Sequence, residues 1–82
     1  MSTVIQDDAA KIVFAENMRI RMEKLNISQA DLSRLTGESE MRINHYRRGL
    51  RLPTVAVAAR IAEALRTKVD TLLKSQVTCR EN

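Results

Sequence analysis

Between Glu40 and Glu63 the chain carries no acidic residue, yet Arg42, Arg47, Arg48, Arg51 and Arg60 fall in that interval. A guanidinium is permanently charged, only donates hydrogen bonds, and fits phosphate oxygens two at a time. Solvated faces usually mix both signs, so an acid-free arginine stretch points to a surface that meets a polyanion. Other chemistry is poorly supplied. His45 is the single histidine and Cys79, far along the chain, is the single cysteine, so neither a metal site nor an internal disulfide is expected. No Ser-His-Asp set, carboxylate pair or phosphate loop is visible, so no enzyme and no cofactor are expected.

The arginines need a scaffold, and the stretch Ser28 to Gly49 supplies its signals. Ser28 is a good N-cap, and Asp31 three residues on completes a capping-box pattern with Asp in place of Glu. Leu32 and Leu35, three apart, are expected on one face of this short helix. Gly37 suits the left-handed residue that ends it. Ser39 opens a second short helix, Glu40 sets negative charge at its positive end, Ile43 and Tyr46 face inward, and Gly49 stops it. Two short helices joined by a tight turn form a helix-turn-helix pattern.

With Ser28-Gln29, Leu32, Gly37, Ser39, Ile43, Arg48-Gly49 and Pro53 at these spacings, the chain resembles the phage repressor and Cro family of helix-turn-helix domains, the XRE-like regulators. Ile61-Ala62, Ala64-Leu65, Val69-Asp70 and Leu72-Leu73 extend the likeness over roughly Asn17 to Leu73. The resemblance implies an all-α fold of five helices, with helix 3 in the DNA major groove and helix 2 crossing the backbone. It puts Glu40, Met41, Arg42 and His45 at base-facing positions. Arg42 would suit guanine and Met41 a thymine methyl; Glu40 either accepts from cytosine or only satisfies the helix dipole. Phosphate contacts are expected at Gln29, Ser39, Asn44, Arg47, Arg48 and Arg51. One departure stands out: an arginine and a glutamate that often pair in the family are here Met22 and Arg47, so Arg47 is left to face solvent or DNA.

The implied role is a transcriptional repressor, phage or prophage in type, binding a two-fold double-stranded DNA operator as a homodimer. Val69, Leu72 and Leu73 are the expected dimer contacts, unless the domain's own core takes them. An antitoxin-like module that also binds a partner protein is the alternative.

The remaining chain agrees with one small helical domain, 1–74, followed by a polar tail or linker start, 75–82. The length is 82 residues, the formal net charge +4, and the only aromatics are Phe14 and Tyr46, so the core must be aliphatic. Met1 to Gln6 read as a loose arm, and helix 1 should open near Asp7 or Asp8. Phe14, Met18, Met22 and Leu25 form its buried stripe, whereas Arg19, Arg21, Glu23 and Lys24 are expected in solvent. Asn26 ends it, and Ile27 packs before the Ser28 cap. After Pro53, helix 4 is expected over Val55–Arg66, with Val55, Ala58, Ile61, Ala62 and Leu65 on one face. Arg66 stands where the family usually has glycine, which predicts a looser turn. Neither a signal peptide nor a membrane span is apparent, and a cytoplasmic setting is expected.

Overall fold

Five helices make up the computed structural model, which describes residues 7–74: α1 Asp7–Leu25, α2 Gln29–Thr36, α3 Glu40–Arg47, α4 Val55–Ala64 and α5 Val69–Leu72. The expected arm at 1–6 and the tail at 75–82, with Cys79, lie outside the described residues. Helix α1 packs on α3 and α5, α2 packs on α3 and α4, and α4 packs on α5.

The core is one cluster, mostly aliphatic. Phe14, Met18 and Met22 enter from α1, Leu32 from α2, Ile43 and Tyr46 from α3, Val57, Ala58, Ile61 and Ala62 from α4, and Leu65 and Leu72 close it. Each large side chain removed from water in this way contributes about 1.5–3 kcal/mol. The α1 stripe is therefore as expected, with Leu25 and Ile27 partly buried at its edge. Met22, standing where the family often has an arginine, is packed as an ordinary core residue.

Local chemistry fixes the helix ends. Ser28 and Asp31 make the reciprocal capping box, and Ser39 and Thr54 cap α3 and α4 through their hydroxyls. Gly37 ends α2 at φ 81°. Asn26, Gly49 and Arg66 each sit at positive φ after α1, α3 and α4. In each case the next amide donates five residues back: Ile27 to Met22, Leu50 to His45, Thr67 to Ala62, all at 2.9 Å. These are Schellman closures, which turn the chain while using carbonyls that would otherwise be orphaned.

Helix α1 then supplies the donors that the other helices lack. Its Asn17 is buried, and the amide nitrogen lies 2.8 Å from the Leu72 carbonyl and 2.7 Å from that of Lys74, at the end of α5. Arg21 donates twice to the Leu65 carbonyl, at 2.9 and 3.1 Å, and once to Arg66 at 3.1 Å, at the end of α4. Arg19 donates to the Arg47 carbonyl at 2.7 Å, at the end of α3. The last carbonyls of a helix have no partner within it and carry the negative end of its dipole. Arg19 and Arg21 are therefore not idle solvated charges, as their sequence positions suggested. The turn at Arg66 is not loose either: it adopts φ 58°, and Arg21 holds its carbonyl.

Three apolar positions depart from expectation. Leu35 is 60% exposed, because α2 turns Leu32 and Thr36 inward instead. Thr36 tolerates burial because its hydroxyl donates to the Leu32 carbonyl at 2.8 Å. Val55 is 84% exposed at the first turn of α4, and Val57 takes the core position. Leu72 is fully buried, so its surface is spent on its own domain and is not available as a dimer contact. Helix α4 also stops at Ala64, two residues short of the expected end.

Two outcomes follow. Arg66→Gly should remove left-handed strain that outweighs the entropy glycine adds to the unfolded chain, a net gain of about 0.5–1 kcal/mol. Thermal unfolding should show a midpoint a few degrees higher; an unchanged or lower one means Arg66 stores no strain. The second concerns acid. The Ser28 amide, and after it the Arg34 guanidinium, hold the Asp31 carboxyl below its ordinary pKa. A depressed folded-state pKa gives stability that is present above the unfolded value, about 3.9, and lost as pH falls through the folded one. Urea midpoints of wild type and Asp31→Asn should differ by a constant amount near neutrality and converge below about pH 4; parallel curves down to strong acid rule out this role.

Candidate nucleic-acid interface

Helix α3 is exposed along one side because Ile43 and Tyr46, on the other, are anchored in the core. Ser39 accepts from the Arg42 amide at 3.2 Å, so its oxygen fixes the start of the helix. Beyond it Glu40, Met41 and Arg42 project into solvent, Met41 with 66% of its surface free. His45, one turn on, is half-buried. Positions 41, 42 and 45 share a helical face by their spacing of three and four. The candidate base-reading residues thus lie together on the outward side of α3.

Arg48 and Arg51 are exposed, Arg48 as the C-cap of α3 and Arg51 in the loop before Pro53. Gly49 between them lets the chain reverse with φ 75° while its backbone lies against α1; a Cβ built there would sit 3.7 Å from Ala15 Cβ.

The arginine placed in doubt by the family comparison has a defined seat. Arg47 Nε donates to Gln29 Oε1 at 3.1 Å and its Nη2 to Asn44 Oδ1 at 3.1 Å. Its side chain therefore faces neither open solvent nor the core, but the seam between α2 and α3. Gln29, Asn44 and Arg47, all expected at phosphate, form one half-buried group.

Glu38, overlooked when the acid-free interval is counted from Glu40, is the principal counter-charge. Its carboxylate lies 3.5 Å from Arg42 Nη1 and 3.3 Å from Arg60 Nη2, and its side chain is only 11% exposed. Ser33 donates to the Glu38 carbonyl at 2.6 Å, and the Glu38 amide donates to Thr36 Oγ1 at 3.3 Å, which pins the turn. Arg60 of α4 is thus balanced from the turn between α2 and α3, and Arg42 is shared between Glu38 and whatever lies in front of α3. The signal was in the sequence: an acid just before a capping serine and four residues before Arg42 is an i,i+4 partner.

Two surface cavities include exposed apolar side chains. A cavity of about 140 Å³ is lined by Leu52, Pro53, Val55, Val69 and Leu73 over Phe14 and Ala58. A second, of about 370 Å³, lies among Leu25, Ile27, Leu35, Ala64, Glu63 and Arg66. Val69 and Leu73, two of the three expected dimer contacts, line the first. No helix of the described residues is long and apolar enough to cross a membrane. Among the described residues no cluster of His, Cys, Asp or Glu could hold a metal ion.

Glu38→Gln should release Arg42 and Arg60 toward a polyanion. The variant is expected to bind duplex DNA of random sequence more tightly at low salt, with a log–log salt slope steeper by about 1. An unchanged slope in fluorescence-anisotropy titrations means that Glu38 does not restrain these charges.

Comparison with known proteins accords with this geometry. The structure of a hypothetical transcription factor, NHTF, from Neisseria superposes with a TM-score of 0.81, covering 96% of this chain and 91% of that one at 20% identity; the likeness is one of fold. Two crystal structures of HppE, one apo and one a CoII form in complex with Tris buffer, superpose at TM-scores of 0.71 with 30% identity. They cover 79% of this chain but only 36% and 37% of their own, so the chain spans about a third of the length of the HppE chains. A search of curated proteins returned no match. The helix-turn-helix family HTH_3 matches residues 18–72, from the last two turns of α1 through α5. The chain belongs to this family of Cro/C1-type helix-turn-helix DNA-binding regulators.

Proposed function

We propose that the protein is a transcriptional repressor that binds a two-fold DNA operator as a homodimer, with α3 lying in the major groove. The observation that carries this reading is the outward face of α3. Glu40, Met41 and Arg42 are exposed there and His45 is half-buried, and Arg48 and Arg51 follow as exposed cations. An α-helix fits the major groove, and its base edges offer distinct donors and acceptors to such side chains. Gln29 at the start of α2 and the cations around it meet the phosphates, which position the domain without reading sequence.

One α3 spans too few base pairs to locate a site in a genome, which favours two domains on half-sites about 34 Å apart. The exposed apolar cavity at Leu52, Val55, Val69 and Leu73 is the preferred contact; it keeps two of the expected residues and replaces Leu72. So small a surface supports only a weak free dimer, completed on DNA.

A second reading rests on Leu35. Its exposure beside Leu25, Ile27 and Ala64 offers a partner protein an apolar foothold away from α3, as an antitoxin-like module requires. Leu35→Asp separates the two readings, since it leaves a repressor's DNA affinity unchanged.

The main test is titration of operator duplexes selected from random DNA. With six to eight phosphates neutralised per dimer, log K should fall against log salt with a slope of about −5 to −7. Sedimentation should give two chains per duplex. Arg48→Ala should weaken selected and random DNA alike, whereas Arg42→Ala should cost about 1–3 kcal/mol at one base position and relax preference there. A slope near zero, or one chain per duplex at saturation, overturns the corresponding half of the proposal.

A further inference from the structure

The seam between α2 and α3 holds a group whose chemistry is one-sided. Arg47 donates through Nε to Gln29 Oε1 and through Nη2 to Asn44 Oδ1, both at 3.1 Å. A carboxamide has an acceptor end and a donor end, and a guanidinium has donors only. Each amide must therefore turn its oxygen to Arg47, which leaves both NH2 groups pointing away from it. The base of the arginine is itself fixed, because Arg19 donates to the Arg47 carbonyl at 2.7 Å. Among the described residues no carboxylate forms an ion pair with Arg47. The group therefore keeps a full positive charge.

We propose that Arg47 is a positioning residue: by holding the acceptor ends of Gln29 and Asn44, it presents their two amides as fixed donors to DNA phosphate oxygens. This rests on the DNA-binding reading above and assigns Arg47 a role different from an independent phosphate clamp. Phosphate oxygens only accept, so an amide free to flip would present the wrong end part of the time. Locking both amides removes that fraction before the ligand arrives, which is preorganisation. A guanidinium is needed because its planar fork reaches two acceptors at once, whereas an ammonium keeps the charge without the fork.

The test compares Arg47→Lys, Gln29→Ala and the double variant on a duplex of random sequence at low salt, alongside side-chain amide NMR of the free protein. Arg47→Lys should weaken binding about tenfold, the scale of one charge-assisted hydrogen bond, with an unchanged salt slope because the charge is retained. In the Gln29→Ala background the same change should have clearly less effect, as residues acting through one another do. Without DNA, the Gln29 and Asn44 NH2 groups should be rigid on the nanosecond scale in wild type and mobile in Arg47→Lys. Full affinity in Arg47→Lys, or multiplicative effects in the double variant, makes Arg47 a simple cation and overturns the proposal. Mobile amides in wild type overturn the orientation itself. Rigid amides in a wild type that binds no DNA overturn the DNA reading and, with it, the ligand assigned to them.

Discussion

The donors that α1 extends to three helix C-termini hold this structure in register. Asn17, Arg19 and Arg21 meet the carbonyl ends of α5, α3 and α4. Short helices are poor structures on their own: two turns make few internal bonds, and the end carbonyls go unpaired. α2 and α3 have eight residues each and α5 only four. Hydrophobic burial draws these elements together, but it is non-directional. The polar contacts from α1 supply direction, setting where each helix ends and hence where α3 presents its outward face.

Much of this was legible in the sequence, because it depends on neighbours. The caps at Ser28 and Ser39, the turn at Gly37 and the stop at Gly49 are each decided within four or five residues. The α1 stripe is legible because nineteen residues give several repeats of its period. Leu35 and Val55 were misjudged where a helix is too short, or a position too near its end, for spacing to single out the buried face. Thr36 shows why hydrophobicity alone misleads there: a hydroxyl that bonds to its own helix is as acceptable inside as leucine.

The site was legible in its composition and obscure in its wiring. The acid-free run of arginines is visible from sequence alone. What each arginine touches depends on residues far off in the chain: Arg21 on Leu65, Arg60 on Glu38, Arg47 on Gln29. Arg47 illustrates the difficulty. Standing where the family has the acid of an ion pair, it suggested a free cation, and the carboxamides that hold it carry no charge to betray them.

The anchoring of α3 at one end has a consequence for its other end. Its C-terminus is tied to α1, and Ile43 and Tyr46 anchor its inner side, so residues 40–42 occupy a tip about 8–10 Å along the axis from that anchor. Those residues contribute little to the core. Substitutions there alter the surface that the helix presents while leaving its core anchors, Ile43 and Tyr46, in place.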